Sequence, residues 1–232
     1  MKAYRARYVI DGVSEEPLED RAVLVENGRI TAVKPARSLS SSLEVTDLGD
    51  ATLMSGLIDA HVHLVWNASK DPVALVDHEP RFVTVLRAAH NCVLQLRAGV
   101  TTVRDTGSTD AIAVAIARGV ELGVIPGPRV IPAGRVICMT GGHAWTLGRE
   151  ADGSESVRAA TRAEMKAGAH VIKLMASGGI YGHAEEVGSP QYSVEEMRAG
   201  VEEAHKTGRK TAAHAYADDE TRWAAVVERD AA

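Results

Sequence analysis

The chain has 232 residues, of which 45% are hydrophobic and 25% charged, and these proportions are typical of a globular protein with a buried core. A net charge of −5 gives no basic surface for nucleic acid or an anionic membrane, and 4% aromatic residues argue against base stacking. No run of ~18 uncharged apolar residues is present, and no apolar signal core follows Met1. Cys92 and Cys138 lack metal-binding spacing and predict reduced, buried thiols. We therefore expect a cytoplasmic protein without nucleic-acid or membrane partners.

The first 55 residues are predicted to form a small β-domain. Two strand-like runs, 22–26 and 29–33, flank Asn27-Gly28, and an Asn-Gly pair between such runs is a strong signal for a hairpin. A serine-rich connection over 35–42 follows, and we expect one more strand over 45–54. The first domain is therefore assigned to residues 1–55.

From Gly56 onward the pattern changes to helices that alternate with apolar strands. Helices are predicted over 80–98, 109–122 and 154–167, and another begins at the capping box formed by Ser193 and Glu196. Each of the four ends near a glycine, the usual left-handed stop: Gly99, Gly123, Gly168 and Gly208. Such alternation predicts βα units and a parallel sheet over residues 56–232.

The first of these strands ends in two histidines, His61 and His63. Because side chains alternate faces along a strand, residues two apart point the same way. Paired imidazoles at a strand end are half of a tetrahedral metal site and suit zinc, iron, nickel or copper. The alternative is that one histidine caps the strand and the other is solvated.

Three later strands also end in polar residues. Asp105, Lys173 and His214 each fall five or six residues after a helix-ending glycine, so the strands have similar lengths. Barrel enzymes place their chemistry at the carboxyl ends of strands. We therefore expect these side chains to reach the same rim as His61 and His63.

Lys173 lies among apolar residues, which leaves four interpretations open. It could form a buried ion pair, or its stem could extend to solvent. Burial could instead free its amine for a Schiff base or for reaction with carbon dioxide to form a carbamate. The nearby pair of histidines favours the carbamate, because an anion with two oxygens can bridge two metal ions and a Schiff-base enzyme needs no paired metal ligands.

Two further histidines are candidates. His214 would bind a second metal ion, although a hydrogen-bonded core histidine is the alternative. His143 follows Gly141-Gly142 and could contact substrate, or it could be an ordinary loop histidine. The other histidines are treated as structural or solvated: His78, His90, His170, His183 and His205.

As a set and in this order, five motifs resemble the amidohydrolase superfamily, and the resemblance is greatest to its imidazolonepropionase-like and Xaa-Pro dipeptidase-like branch. The motifs span residues 56–63, 99–105, 140–143, 171–179 and 213–215. The resemblance implies a (β/α)8 TIM barrel and a small β-sandwich to which residues 1–55 contribute. It also implies two divalent metal ions, with zinc as the default.

The resemblance assigns roles within this site. His61 and His63 would hold the first metal ion, carboxylated Lys173 would bridge, and His214 would hold the second. Lys173 and His214 are accordingly the catalytic candidates, while His143 and Tyr216 are the substrate-binding candidates. A hydroxide shared by the two metal ions would attack an amide carbonyl of a dipeptide-like or cyclic amide substrate.

The resemblance also implies a histidine after strand six and an aspartate after strand eight, and neither can be placed in this sequence. Five barrel strands are predicted instead of eight, with a last helix over 218–229. Three interpretations therefore stand: a metal-dependent hydrolase of C–N bonds, an inactive fragment or assembly subunit of one, and a Schiff-base lyase that uses Lys173.

A five-stranded barrel would leave two strand edges unpaired and its apolar interior uncovered. We therefore expect the chain alone to be marginally stable or prone to aggregation unless a second copy or another segment completes it, so a homo-oligomer is expected. Sedimentation in dilute solution tests this, and a stable, protease-resistant monomer would contradict it.

Overall fold

The computed structural model describes residues 1–181 and 186–216. The chain divides into a compact unit of residues 1–56 and a second unit that begins at Leu57. The helix predicted over 218–229 lies outside the described residues. Within the described ranges, no helix combines the length and the apolar character that a membrane span requires.

The first unit is a β-sheet with β1 at its centre. Its strands are β1 (Lys2–Ile10), β2 (Leu18–Glu26), β3 (Arg29–Pro35), β4 (Glu44–Asp47) and β5 (Thr52–Met54). β1 pairs antiparallel with β2 and parallel with β4 and β5. Asn27 and Gly28 connect β2 to β3 with φ angles of 51° and 73°, so the predicted hairpin is confirmed.

The single strand predicted over 45–54 is wrong, because a turn divides it into β4 and β5. Gly49 has a φ of 65°, and its N–H donates to Asp47 Oδ1 at 2.9 Å. This local bond offers the backbone an alternative to the sheet, and the extended conformation is interrupted there.

The second unit contains two parallel sheets covered by helices. One has the order β6-β7-β8 and the other β10-β9-β11-β12. The strands are β6 (Leu57–Val62), β7 (Val100–Asp105), β8 (Arg129–Pro132), β9 (Val136–Cys138), β10 (Gly148–Glu150), β11 (Val171–Met175) and β12 (Lys210–His214). The helices are α1 (Pro72–His78), α2 (Arg81–Arg97), α3 (Ile112–Glu121), α4 (Ser154–Ala167) and α5 (Val194–His205). The predicted alternation of helices and parallel strands is confirmed.

Three local features differ from the prediction. Helix α1 was not expected, and it begins because Asp71 accepts a hydrogen bond from Ala74 N at 2.9 Å as its N-cap. The predicted helix over 109–122 starts as a 3₁₀ turn before α3. No break was predicted after Arg129, but the chain there is divided into β8 and β9, since Gly134 adopts a φ of 73° between them.

Two apolar clusters support the two sheets from their helical sides. One includes Cys92 of α2, Val103 of β7 and Ile116 of α3, and the other packs Val201 of α5 against Leu174 of β11. Both cysteines are buried, as predicted. Burying one such aliphatic side chain contributes about 1.5–3 kcal/mol. The clusters therefore hold the strands against their helices.

Helix α5 leads into β12, the strand that carries His214. The capping box in its first turn should contribute to the stability of the chain. Ser193 Oγ accepts from Glu196 N, and Glu196 in turn accepts from Ser193 N at 2.8 Å. We expect Ser193→Ala to lower the free energy of unfolding by about 1 kcal/mol. Urea unfolding monitored by circular dichroism measures this.

Ser156→Ala is the matched control, because Ser156 lies exposed in the first turn of α4 and makes no side-chain hydrogen bond within the described residues. Equal stability of the two variants would contradict the assigned role of the cap.

Candidate functional site

The structure gathers the six residues singled out from the sequence around one cavity of about 260 Å³. They come from different elements, and β6, β11 and β12 contribute their carboxyl ends. The six are His61, His63, His143, Lys173, His214 and Tyr216. The remaining lining residues are Trp66, Ala144, Met175, Gly179, Ile180 and Tyr181. These six side chains therefore converge as predicted.

His61 and His63 face each other at an angle. Their ring centroids are 5.5 Å apart and the ring planes meet at 70°. The strand does not run regularly through them, because Asp59 pairs with Val103 and Val62 with Asp105. Three steps on β6 thus oppose two on β7, which is a β-bulge, and such bulges redirect side chains near functional sites.

The His63 ring is held in one tautomer. Its Nδ1 lies 2.7 Å from the carbonyl oxygen of Gly107, and because a carbonyl only accepts, Nδ1 carries the proton. Burial lowers the pKa of His63 to about 4, so the ring is neutral near pH 7. Its Nε2 therefore keeps a lone pair that can bind a metal ion.

The pKa of His61 is also lowered, first by partial burial and then by the positive charges of Lys173 and Arg104. Both members of the histidine pair are thus biased toward the neutral form that coordinates metals.

Lys173 is buried in the wall of the cavity, with 3% of its surface exposed. Burial, followed by the nearby charge of Arg104, lowers its pKa to about 8. Within residues 1–181 and 186–216 no carboxylate forms an ion pair with it. Neither a described ion pair nor a stem that reaches bulk solvent therefore accounts for this lysine.

His214 stands on the strand next to Lys173. β11 and β12 pair in register with Lys173 opposite Ala212 and Met175 opposite His214, so His214 lies two residues further along the sheet. The ring of His143 stacks on it, with centroids 4.2 Å apart and planes 27° from parallel. Tyr216 lies at the exposed side of the cavity, 6.4 Å from His214 between ring centroids.

His143 is buried and not a freely exposed loop residue. Its backbone N–H donates to Gln191 Oε1 at 3.0 Å. A Cβ placed on Gly179 would lie 2.3 Å from the imidazole, so only glycine lets this loop cross the ring. Gly179 after β11 is therefore required by the position of His143.

Sequence reasoning missed one aromatic residue in the wall, Trp66. Trp66 lies 4.3 Å from His63 and 5.2 Å from Tyr181 between ring centroids. Tyr181 in turn lies 6.2 Å from His143. These contacts join the imidazoles into one arc of rings. The available signal for Trp66 was its place three residues after His63, in the loop that follows β6.

Asp105 does not reach the cavity, so the expectation that it shares the rim is wrong. Its carboxylate is fully buried and accepts from Leu64 N at 2.8 Å and Gly107 N at 3.0 Å. Burial raises the pKa of Asp105 to about 7, against the opposing effect of these two hydrogen bonds. Of the other histidines, those described do not line the cavity, and His183 lies outside the described residues.

A larger cavity of about 730 Å³ lies between α3 and β8. None of the six candidate residues lines it, and its walls are mainly aliphatic. Size alone therefore does not mark the functional site, which is distinguished by its buried amine and its imidazoles.

The imidazoles around the smaller cavity suit a metal ion, but the described lining residues include no Asp or Glu. In the described part of the chain, no three His, Cys, Asp or Glu side chains converge closely enough to hold one ion. The pair His61–His63 and the single His214 are therefore separate partial sets, and Lys173 lines the cavity with them. Neutral imidazoles suit transition metals, but an amine must first lose its charge.

A model of the amidohydrolase family matches residues 52–228, and the chain belongs to this family, as predicted. The family is generally metal-dependent. Ochratoxinase from Aspergillus niger is 29% identical over 239 residues, which cover 87% of this chain and 47% of that protein. Imidazolonepropionase from Deinococcus radiodurans is 34% identical over 103 residues, covering 44% and 24%.

The described fold is also similar to solved structures of this family. A Xaa-Pro dipeptidase with bound methionine in its active site has a TM-score of 0.86 at 27% identity, covering 97% of this chain and 59% of that chain. The chain thus spans about half the length of the curated ochratoxinase that it matches. The α/β fold of the amidohydrolases is therefore shown.

The low pKa of His63 predicts how the free energy of unfolding changes in acid. Between its ordinary pKa of 6.5 and about 4, the unfolded chain binds a proton that the folded chain does not. The free energy of unfolding should therefore decrease as the pH is lowered through this window, by up to about 3 kcal/mol from this residue. We expect His63→Gln to flatten the pH dependence of the unfolding free energy, measured in chelator.

His78→Gln serves as the control, because His78 is an exposed histidine. A His63→Gln profile parallel to that of the unmodified chain would contradict the assigned burial.

Proposed function

We propose that this chain carries a two-metal centre for the hydrolysis of amide C–N bonds, with Lys173 as a bridging carbamate. The observation that supports this most directly is the buried Lys173, which lines a cavity with four imidazoles and has no described carboxylate partner. Family membership supports the reaction class. The ochratoxinase and dipeptidase relatives suggest substrates with an amide bond.

The carbamate follows from the chemistry of the amine. The free amine adds to carbon dioxide, forming an N–C bond and releasing one proton, and the product carries one negative charge over two oxygens. A lowered pKa increases the fraction of free amine at neutral pH. One oxygen would complete the donor set of His61 and His63, and the other would serve His214.

The bound metal ions would polarise the substrate carbonyl and lower the pKa of water. The residues of this chain do the positioning. Gly107 holds the proton of His63 on Nδ1, which leaves the Nε2 lone pair able to bind a metal ion. Trp66 and Tyr181 provide an apolar wall that excludes water and receives a substrate side chain. His143 and Tyr216 are the proposed substrate contacts.

The cavity suits a small ligand, since its volume of about 260 Å³ lies just below the usual range of about 300–1,000 Å³ for small-molecule sites. We therefore propose dipeptide-like or cyclic amide substrates, zinc as the default metal, and a barrel of the (β/α)8 type. A cytoplasmic homo-oligomer remains part of this proposal.

A non-catalytic subunit is the second candidate function. The observation in its favour is that no described group of three acidic, histidine or cysteine side chains could hold a metal ion. The two candidates differ in metal content, and the Schiff-base alternative differs from both because borohydride with a carbonyl substrate would trap it on Lys173.

The first test is the metal content of gel-filtered protein prepared with zinc and bicarbonate. We expect close to two zinc ions per chain, and fewer than one in Lys173→Met, because the amine that forms the carbamate is lost. Lys166→Met is the matched control, an exposed lysine on α4, and it should keep the full content. No zinc in the unmodified chain would favour the non-catalytic subunit.

The second test is hydrolysis of a panel of Xaa-Pro dipeptides and N-acyl amino acids by the zinc-loaded chain. Lys173→Ala should fall to background, and added formate or acetate should restore part of the rate by placing a carboxylate where the carbamate stood. Activity in Lys173→Ala equal to that of the unmodified chain would exclude the bridging role.

A further inference from the structure

Four consecutive residues at the end of β7 hold the strand that carries the histidine pair. Thr106 N donates to Val62 O at 2.9 Å, a backbone bond that continues the sheet past its last strand residue. The other three contacts involve a side chain and are not part of the sheet ladder. They join Arg104, Asp105 and Gly107 to the backbone or ring on either side of His61 and His63.

Arg104 binds the bulge that precedes His61. Its Nε donates to the carbonyl oxygen of Ala60 at 2.7 Å. The irregular pairing between Asp59 and Val62 takes this segment out of the regular ladder, so a carbonyl within it needs another donor. Within the described residues, Arg104 makes no other hydrogen bond and no ion pair. Among the described residues, its guanidinium therefore binds the bulge and no carboxylate.

Asp105 joins the backbone that follows His63 to the loop that contacts its ring. One carboxylate oxygen accepts from Leu64 N, directly after His63, and the other accepts from Gly107 N. Gly107 then accepts the Nδ1 proton of His63 through its carbonyl oxygen. The carboxylate thus fixes both the backbone after His63 and the loop that orients its ring. Two adjacent residues of β7 therefore hold the two histidines of the neighbouring segment.

We propose that Arg104 and Asp105 are positioning residues for the His61–His63 pair. Arg104 fixes the backbone before His61. Asp105 holds the Gly107 carbonyl, which keeps the proton of His63 on Nδ1 and the lone pair on Nε2. Outer contacts of this kind typically change metal affinity 10–100-fold. This inference rests on the proposed function for its metal readout, but its prediction for the histidine rings holds for the metal-free chain.

The test compares Arg104→Met and Asp105→Asn with Arg129→Met, an exposed strand arginine that makes no side-chain hydrogen bond or ion pair in the described residues. In metal-free protein, nitrogen-15 NMR of the imidazoles should show His63 with a protonated Nδ1. Asp105→Asn should populate the other tautomer, because the amide group turns a donor toward one backbone N–H. Arg104→Met should shift the His61 resonances, and Arg104→Lys should recover part of that shift.

Cobalt(II) affinity, by competition with a chelator, should fall 10–100-fold in both variants and stay within about twofold in Arg129→Met. Unchanged rings and affinity in folded variants would overturn the proposal, as would a loss of thermal stability alone. If Asp105→Asn does not fold, Arg104→Met decides. No cobalt binding by the unmodified chain would refute the proposed function, while the ring resonances would still decide the positioning role.

Discussion

The arrangement of the site depends on one constraint, the burial of the Lys173 amine. An ammonium group taken out of water needs a partner charge or must lose its proton. The described residues that line the cavity include no Asp or Glu, and the nearest charge identified is Arg104, which has the same sign. Burial therefore drives Lys173 toward the neutral amine, the form that can be modified.

The sheets convert this constraint into geometry. Parallel strands present their carboxyl ends at one edge, and the register of β11 and β12 sets His214 two residues beyond the level of Lys173. On the other sheet, the bulge in β6 and the contacts from β7 fix the histidine pair. Each half of the site is thus held mainly by contacts within its own sheet, and the cavity lies where the two halves meet.

Much of this could be predicted from the sequence because it depends on local rules. Helix-stopping glycines and strands of equal length placed Lys173 and His214, and the two-residue spacing placed His61 with His63. The features that escaped prediction depend on tertiary contacts. The bulge is visible only in the pairing with β7, and the contacts of Asp105 need the approach of Leu64. The edge-to-face contact of Trp66 with Tyr181 joins segments over a hundred residues apart.

Charge balance gives the strongest physical reason to connect the lysine with metal. Two divalent ions in a partly buried cavity need anionic ligands, since neutral imidazoles supply lone pairs but no charge. Among the described lining residues, only Lys173 can become an anion by a simple addition, because it gains a negative charge when it takes up carbon dioxide. The same reaction removes a cation and supplies two oxygens. In the proposed site, metal binding and the uptake of carbon dioxide would therefore be coupled at Lys173. Each would favour the other, and both would weaken as acid protonates the amine.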